Sequence, residues 1–203
     1  MNNSILYLLL LVFAVQCCSG QTRTARTTIT ESVYYDTIAS SQVSLVYFYV
    51  SSSNDEYMNF LDGFYEASDY LKDFKIKLSV VNCNTAFIQK YCSEKEEILM
   101  SKVFVFRNGA SLTDLAIDTL FDINSIVSSV LHLVLLQEVP IVQNHQELES
   151  LLHTARGKQD VIFSKVMAIG TPEHRAFMEA AFAYGHRYKF LVTTSVRNVL
   201  KER

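Results

Sequence analysis

Apolar and polar positions follow two rhythms along this chain, and the rhythm changes often. "VSLVYFYV" (Val43 to Val50) is an unbroken apolar run of branched and aromatic residues, the pattern of a strand buried on both faces. Before it, Thr30 to Ser40 reads as an opening helix; after it, Tyr57, Leu61, Phe64 and Tyr65 recur at helical spacing. "FKIKLSVVNC" (Phe74 to Cys83) alternates and then turns apolar, which predicts a second parallel strand, and "TAFIQKY" predicts a short helix. In "SKVFVFRNGASLTDLAI" the pair Asn108-Gly109 separates two strand-like runs, a strong hairpin signal. Ile123, Ile126, Val127, Val130, Leu131, Val134 and Leu135 then line one broad helical face.

After Glu138 the pattern starts again. "VPIV" predicts a short strand, "HQELESLLHTARG" a helix closed by Gly157, and "DVIFSKVMAIG" a buried strand. "TPEHRAFMEAAFAYG" predicts a helix capped by Thr171, with Pro172 in its first turn and Gly185 after its end. "YKFLVTTS" predicts another strand and "VRNVLKER" the start of a helix. The order is that of an α/β fold: one complete domain over 21–138, and the N-terminal half of a second such unit over 139–203. The hairpin and closing helix of the second unit are expected in a longer product; without them "VIFSKVMAI" stands as an apolar sheet edge open to pairing.

The N-terminus adds a compartment. Ile5 to Val15, "ILYLLLLVFAV", is too short for the roughly 20 apolar residues of a spanning helix. Small residues, "CCSG", and a polar stretch follow, so residues 1–20 read as a secretory signal peptide cut after Gly20; an uncleaved anchor is the competing reading. No later run is long enough to span a bilayer uninterrupted, so no membrane insertion is expected after cleavage. The formal charge of −3, with no basic stripe, argues against nucleic acid. Cys17 and Cys18 leave with the signal, and Cys83 and Cys92 remain where pairing is the default.

Whether Cys83 and Cys92 meet depends on the segment between them. As a straight helix, at ~1.5 Å per residue, it would hold the two α-carbons roughly 13 Å apart, and a disulfide needs roughly 4.4–6.8 Å. Pairing therefore requires the chain to fold back, for instance through a single turn. A structural disulfide, two free thiols and a redox-active pair all remain open. The five histidines, His132, His145, His153, His174 and His186, show no ligand spacing, so no metal is expected; His174, in the first turn of its helix, is expected at the surface.

The strand ending "FYV", the helix after it, "KLSVVNCN...QKYC" and "VFVFRNG" together resemble the thioredoxin fold of the protein disulfide isomerase class. "AIDTLFDINSIV" and "AIGTPEHRAFMEAAFAYG" bring the chain nearer still to the N-terminal part of one multi-domain luminal member. The resemblance implies a Cys-x-x-Cys at positions held here by Ser53 and Glu56, and a cis-proline at the position held by Ser101. A serine hydroxyl ionises far too weakly to act as the activated thiolate of such a site and cannot form a disulfide. Ser53 to Glu56 instead spells a capping box, Ser-x-x-Glu; a hydrolytic pair of Ser53 with Asp55 or Glu56 would need a histidine, the nearest in sequence being His132. The expected function is non-enzymatic and cofactor-free: protein binding, or chaperone-like holding, of luminal or secreted proteins in the endoplasmic reticulum lumen, with or without secretion. Tyr47, Tyr49 and Tyr57 are candidate contacts, against the plainer reading as core or rim aromatics. The rivals are an oxidoreductase using Cys83 and Cys92, and a truncated product without independent function.

Overall fold

The computed structural model describes residues 31–50 and 55–194, without the side chains of residues 31–33, 55, 56, 58 and 96. The signal segment, Ser53 and the final helix expected from Val196 lie outside that range.

In the first unit, α1 (Glu31–Ser40) precedes β1 (Val43–Tyr49), α2 (Asp55–Leu71) and β2 (Ile76–Asn82). Two short helices, α3 (Gln89–Cys92) and α4 (Glu96–Met100), lead to the hairpin β3 (Lys102–Arg107) and β4 (Ala110–Ala116), and α5 (Ile123–Val134) closes the unit. The sheet order is β2-β1-β3-β4, with β1 parallel to β2 and antiparallel to β3. β1 is central and buried from Val43 to Phe48, which is why its sequence is apolar on both faces. Val43, Leu45 and Tyr47 point to the α2–α5 side, while Val46 and Phe48 point to the opposite side, packed with Tyr34, Tyr91, Phe104 and Phe106.

The hairpin turns where the sequence places it. Asn108 and Gly109 both have positive φ, 50° and 80°, and Arg107 pairs with Ala110 across a two-residue loop. α5 starts on a capping box in which the Asp122 carboxylate accepts from the Ser125 N–H and the Ser125 hydroxyl accepts from the Asp122 N–H. At its other end the Arg107 guanidinium donates to the Val134 carbonyl at 3.0 Å, placing a cation at the helix C-terminus.

The second unit contains α6 (His145–Ala155), β5 (Asp160–Lys165), α7 (Pro172–Tyr184) and β6 (Tyr188–Thr193). β5 and β6 are parallel, and "VPIV" contributes one parallel bridge, Ile141 to Val192, on the far edge of β6. Thr171 caps α7 by accepting from the His174 N–H, and Pro172 follows it. Gly185 cannot carry a side chain: a Cβ would sit 2.6 Å from the Ala181 carbonyl oxygen.

Two expectations need correction here. "DVIFSKVMAIG" is not a buried strand: only Asp160–Lys165 is strand, and Asp160, Ile162 and Lys165 are exposed. The reason is that β5 pairs with β6 alone among the described residues, and the chain turns away after Val166, leaving Met167 82% exposed. His174 is not at the surface but fully buried. The first turn of its helix is pressed against the start of α5, so closely that a Cβ at Gly170 would lie 3.3 Å from that of Ser125.

Candidate functional site

The site begins at the end of β1, where α2 enters. Tyr47 has no solvent exposure and packs against the rings of Phe60 and Phe64, with centroids 4.9 and 6.3 Å away. Its hydroxyl donates to the Met100 carbonyl at 2.9 Å, tying β1 to the residue just before Ser101. Burial, with the neighbouring Tyr57 second, raises the Tyr47 phenol well above its ordinary range. Tyr49 is half-buried and accepts from the Asn82 amide at 3.3 Å. Tyr47 is therefore a core residue, and Tyr49 is a partly covered neighbour engaged with β2.

Glu56 falls in the first turn of α2; neither its side chain nor Ser53 is described, so the expected cap lies outside the described residues. Ser101 follows α4 on a trans peptide with φ −83° and ψ 0°. Its hydroxyl donates to the Ile98 carbonyl at 2.8 Å and its own carbonyl accepts from the Ile117 N–H at 2.9 Å. Ser101 thus closes the end of α4 and anchors the strand exit of β4.

Cys83 and Cys92 are joined as a disulfide with α-carbons 5.5 Å apart. The fold-back arises from a turn at Asn82, whose carbonyl accepts from the N–H groups of Thr85 and Ala86, and from the single turn of α3. Cys83 is buried, and the bridge belongs to the apolar layer of Val46, Phe48, Tyr91 and Phe104. Tyr91, next to Cys92, stacks on Phe48 at 4.7 Å. A loop this small contributes about 2.5–3 kcal/mol by closure entropy.

The other notable construction is the seam between the units, formed by α5 and α7 over α2. Phe64, Ile126, Val130, Val139, Phe177, Met178, Ala181 and Phe190 belong to one apolar cluster that crosses it. Arg175 donates to Glu179 at 2.7 Å and to Asn124 at 3.2 Å, and lies 4.3 Å over the ring of Tyr70. Phe74 meets Phe182 edge-on, and Lys189 donates to the Glu138 carbonyl at 2.8 Å. Inside the seam, His132 of α5 and His174 of α7 approach to 3.2 Å. Burial lowers both imidazoles, and His174, with His132 as a second cause, falls to about 4. Beside the seam an open cleft of about 600 Å³ is lined by Leu135, Val139, Phe182, His186, Lys189 and Phe190, among others.

Sequence spacing gave no sign of the histidine pair, since 42 residues separate its members. Among the described residues no group of three or more metal-ligating side chains occurs, and no helix is long and apolar enough to cross a membrane.

Sheet order and crossover define a thioredoxin-like α/β fold repeated in two units. The chain belongs to the thioredoxin domain-containing protein 16 family. The family model described as TXNDC16 N-terminal matches residues 24–131, and that described as TXNDC16 second thioredoxin-like domain matches 132–202. The chain is 39% identical over 163 residues to thioredoxin domain-containing protein 16 of Homo sapiens, covering 80% of this chain and 19% of that relative. Among solved structures it is similar to human ERp44, with 16% identity and a TM-score of 0.46 over 86% of this chain and 45% of that one. It is also similar to the first two thioredoxin domains of Naumovozyma dairenensis Eps1p, with 12% identity and a TM-score of 0.48 over 90% and 85% of the two chains.

Proposed function

We propose that this chain is a non-catalytic thioredoxin-fold module that binds luminal or secreted proteins in the secretory pathway, within the endoplasmic reticulum lumen. The observation that carries the reading is the placement of sulfur. Exchange requires a thiolate at an accessible, electropositive position, and the two positions where this scaffold supplies one hold Ser53 and Glu56. Cys83 and Cys92 are bonded to each other in an apolar layer, with Cys83 buried. Ser101 is engaged in closing α4. The leader-like run at Ile5 to Val15 and a disulfide both suit an oxidising luminal compartment.

The test is insulin reduction in a glutathione buffer by the purified chain and by its Cys83→Ser variant, beside suppression of aggregation of a reduced, unfolded protein. Both proteins are expected to match the buffer's reduction rate while slowing aggregation. A reduction rate that depends on Cys83 would overturn the reading in favour of an oxidoreductase.

A further inference from the structure

The histidine pair can be read proton by proton. The Gly170 N–H, which can only donate, points at His174 Nδ1 from 3.2 Å, so that nitrogen carries a lone pair. A neutral His174 must then carry its proton on Nε2 and donate it to His132 Nδ1, 3.2 Å away. His132, neutral in turn, holds its proton on Nε2, which is buried and has no hydrogen-bond partner among the described residues. Every ring nitrogen is thereby assigned, and the pair has no site for another proton. Protonating His174 Nδ1 sets an N–H against the Gly170 N–H; protonating His132 Nδ1 sets it against the His174 N–H.

Among the described residues no carboxylate pairs with either ring. On the packed elements the charged and titratable groups are Tyr47 and Tyr49 of β1, Asp55, Glu56, Tyr57, Asp62, Tyr65, Glu66, Asp69 and Tyr70 of α2, Lys102 and Arg107 of β3, Asp122 before α5, Glu173, Arg175, Glu179 and Tyr184 of α7, and Tyr188 and Lys189 of β6. Asp69 pairs with Lys72, Glu179 with Arg175, and Asp122 caps α5. The cation nearest in sequence, Arg175, adds positive charge beside His174. The one histidine–carboxylate ion pair among the described residues is His145 with Glu149, on α6.

We propose that His132 and His174 form an acid-sensitive latch between the two units: a proton added to the pair breaks its hydrogen bonds and parts the α5–α7 seam. The sign follows from linkage. The closed seam holds His174 at about 4, below the ordinary 6.5, so the closed state's advantage is complete above 6.5 and is lost as pH falls from there toward 4. One such histidine makes opening about tenfold more favourable at pH 5.5 than at neutral pH.

Hydrogen exchange of the full chain, corrected for intrinsic rates, measures that opening. Seam amides, those of α7 from His174 onward, are expected to gain at least about tenfold in exchange between pH 7.5 and 5.5. In the His132→Gln, His174→Gln double variant the pH dependence of α7 should vanish. An unchanged acceleration in that variant, or none in the natural chain, would overturn the proposal. Nitrogen-15 spectra of the natural chain's imidazoles decide it even if the variant does not fold: both rings should be neutral with protonated Nε2 at pH 6, and a charged imidazolium there would also overturn it.

Discussion

At the residue scale, one hydroxyl explains why a tyrosine occupies the middle of an apolar strand. Tyr47 is fully buried, and its donation to the Met100 carbonyl satisfies an acceptor that water cannot reach. A Tyr47→Phe substitution keeps the ring contacts with Phe60 and Phe64 and removes only that bond. It should destabilise the fold by about 1–2 kcal/mol, read as a lower urea midpoint at unchanged slope. The same scale shows where sequence reading stops. That Ser101 immediately precedes β3 follows from counting along a recognised strand. The burial of His174 does not, because it depends on Gly170, whose φ of +94° lets the start of α7 meet Ser125. No periodicity encodes a contact between residues 42 positions apart.

At the element scale, legibility tracks how local each cause is. The β3–β4 hairpin is read correctly because Asn108 and Gly109 carry its turn in their own backbone preferences. A Cβ at Gly109 would meet only ordinary contacts, the nearest being Ile38 O at 3.8 Å, so Gly109→Ala tests backbone conformation alone. It should cost about 1–2 kcal/mol, measured by chemical unfolding; no loss would mean that the turn relaxes. Thr171, Pro172 and Gly185 likewise mark α7 from within a few residues. β5 misleads because an apolar run reports that partners are wanted, not how many are present. Its single paired edge leaves Ile162 38% exposed, whereas β1, with a comparable run, is enclosed by two strands and two layers. Sequence alone leaves the disulfide undetermined because the span from Cys83 to Cys92 is set by the turn at Asn82.

At the scale of the whole molecule, the two units share one apolar cluster instead of meeting through polar surfaces. Phe64 and Val130 from the first lie in the same core as Phe177, Met178 and Phe190 from the second. Calorimetry at neutral pH should therefore show one cooperative transition; two resolved peaks would mean that the units unfold separately. The covalent bridge lies on the other side of the sheet, in the layer of Phe48 and Phe104, while His132 and His174 lie on the α2–α5 side. Reductants and acid therefore assault opposite walls of the molecule. Either alone leaves the other fastening in place: reduction frees Cys92 from Cys83 while the seam holds, and acid parts α7 from α5 while the bridge still ties the end of β2 to α3.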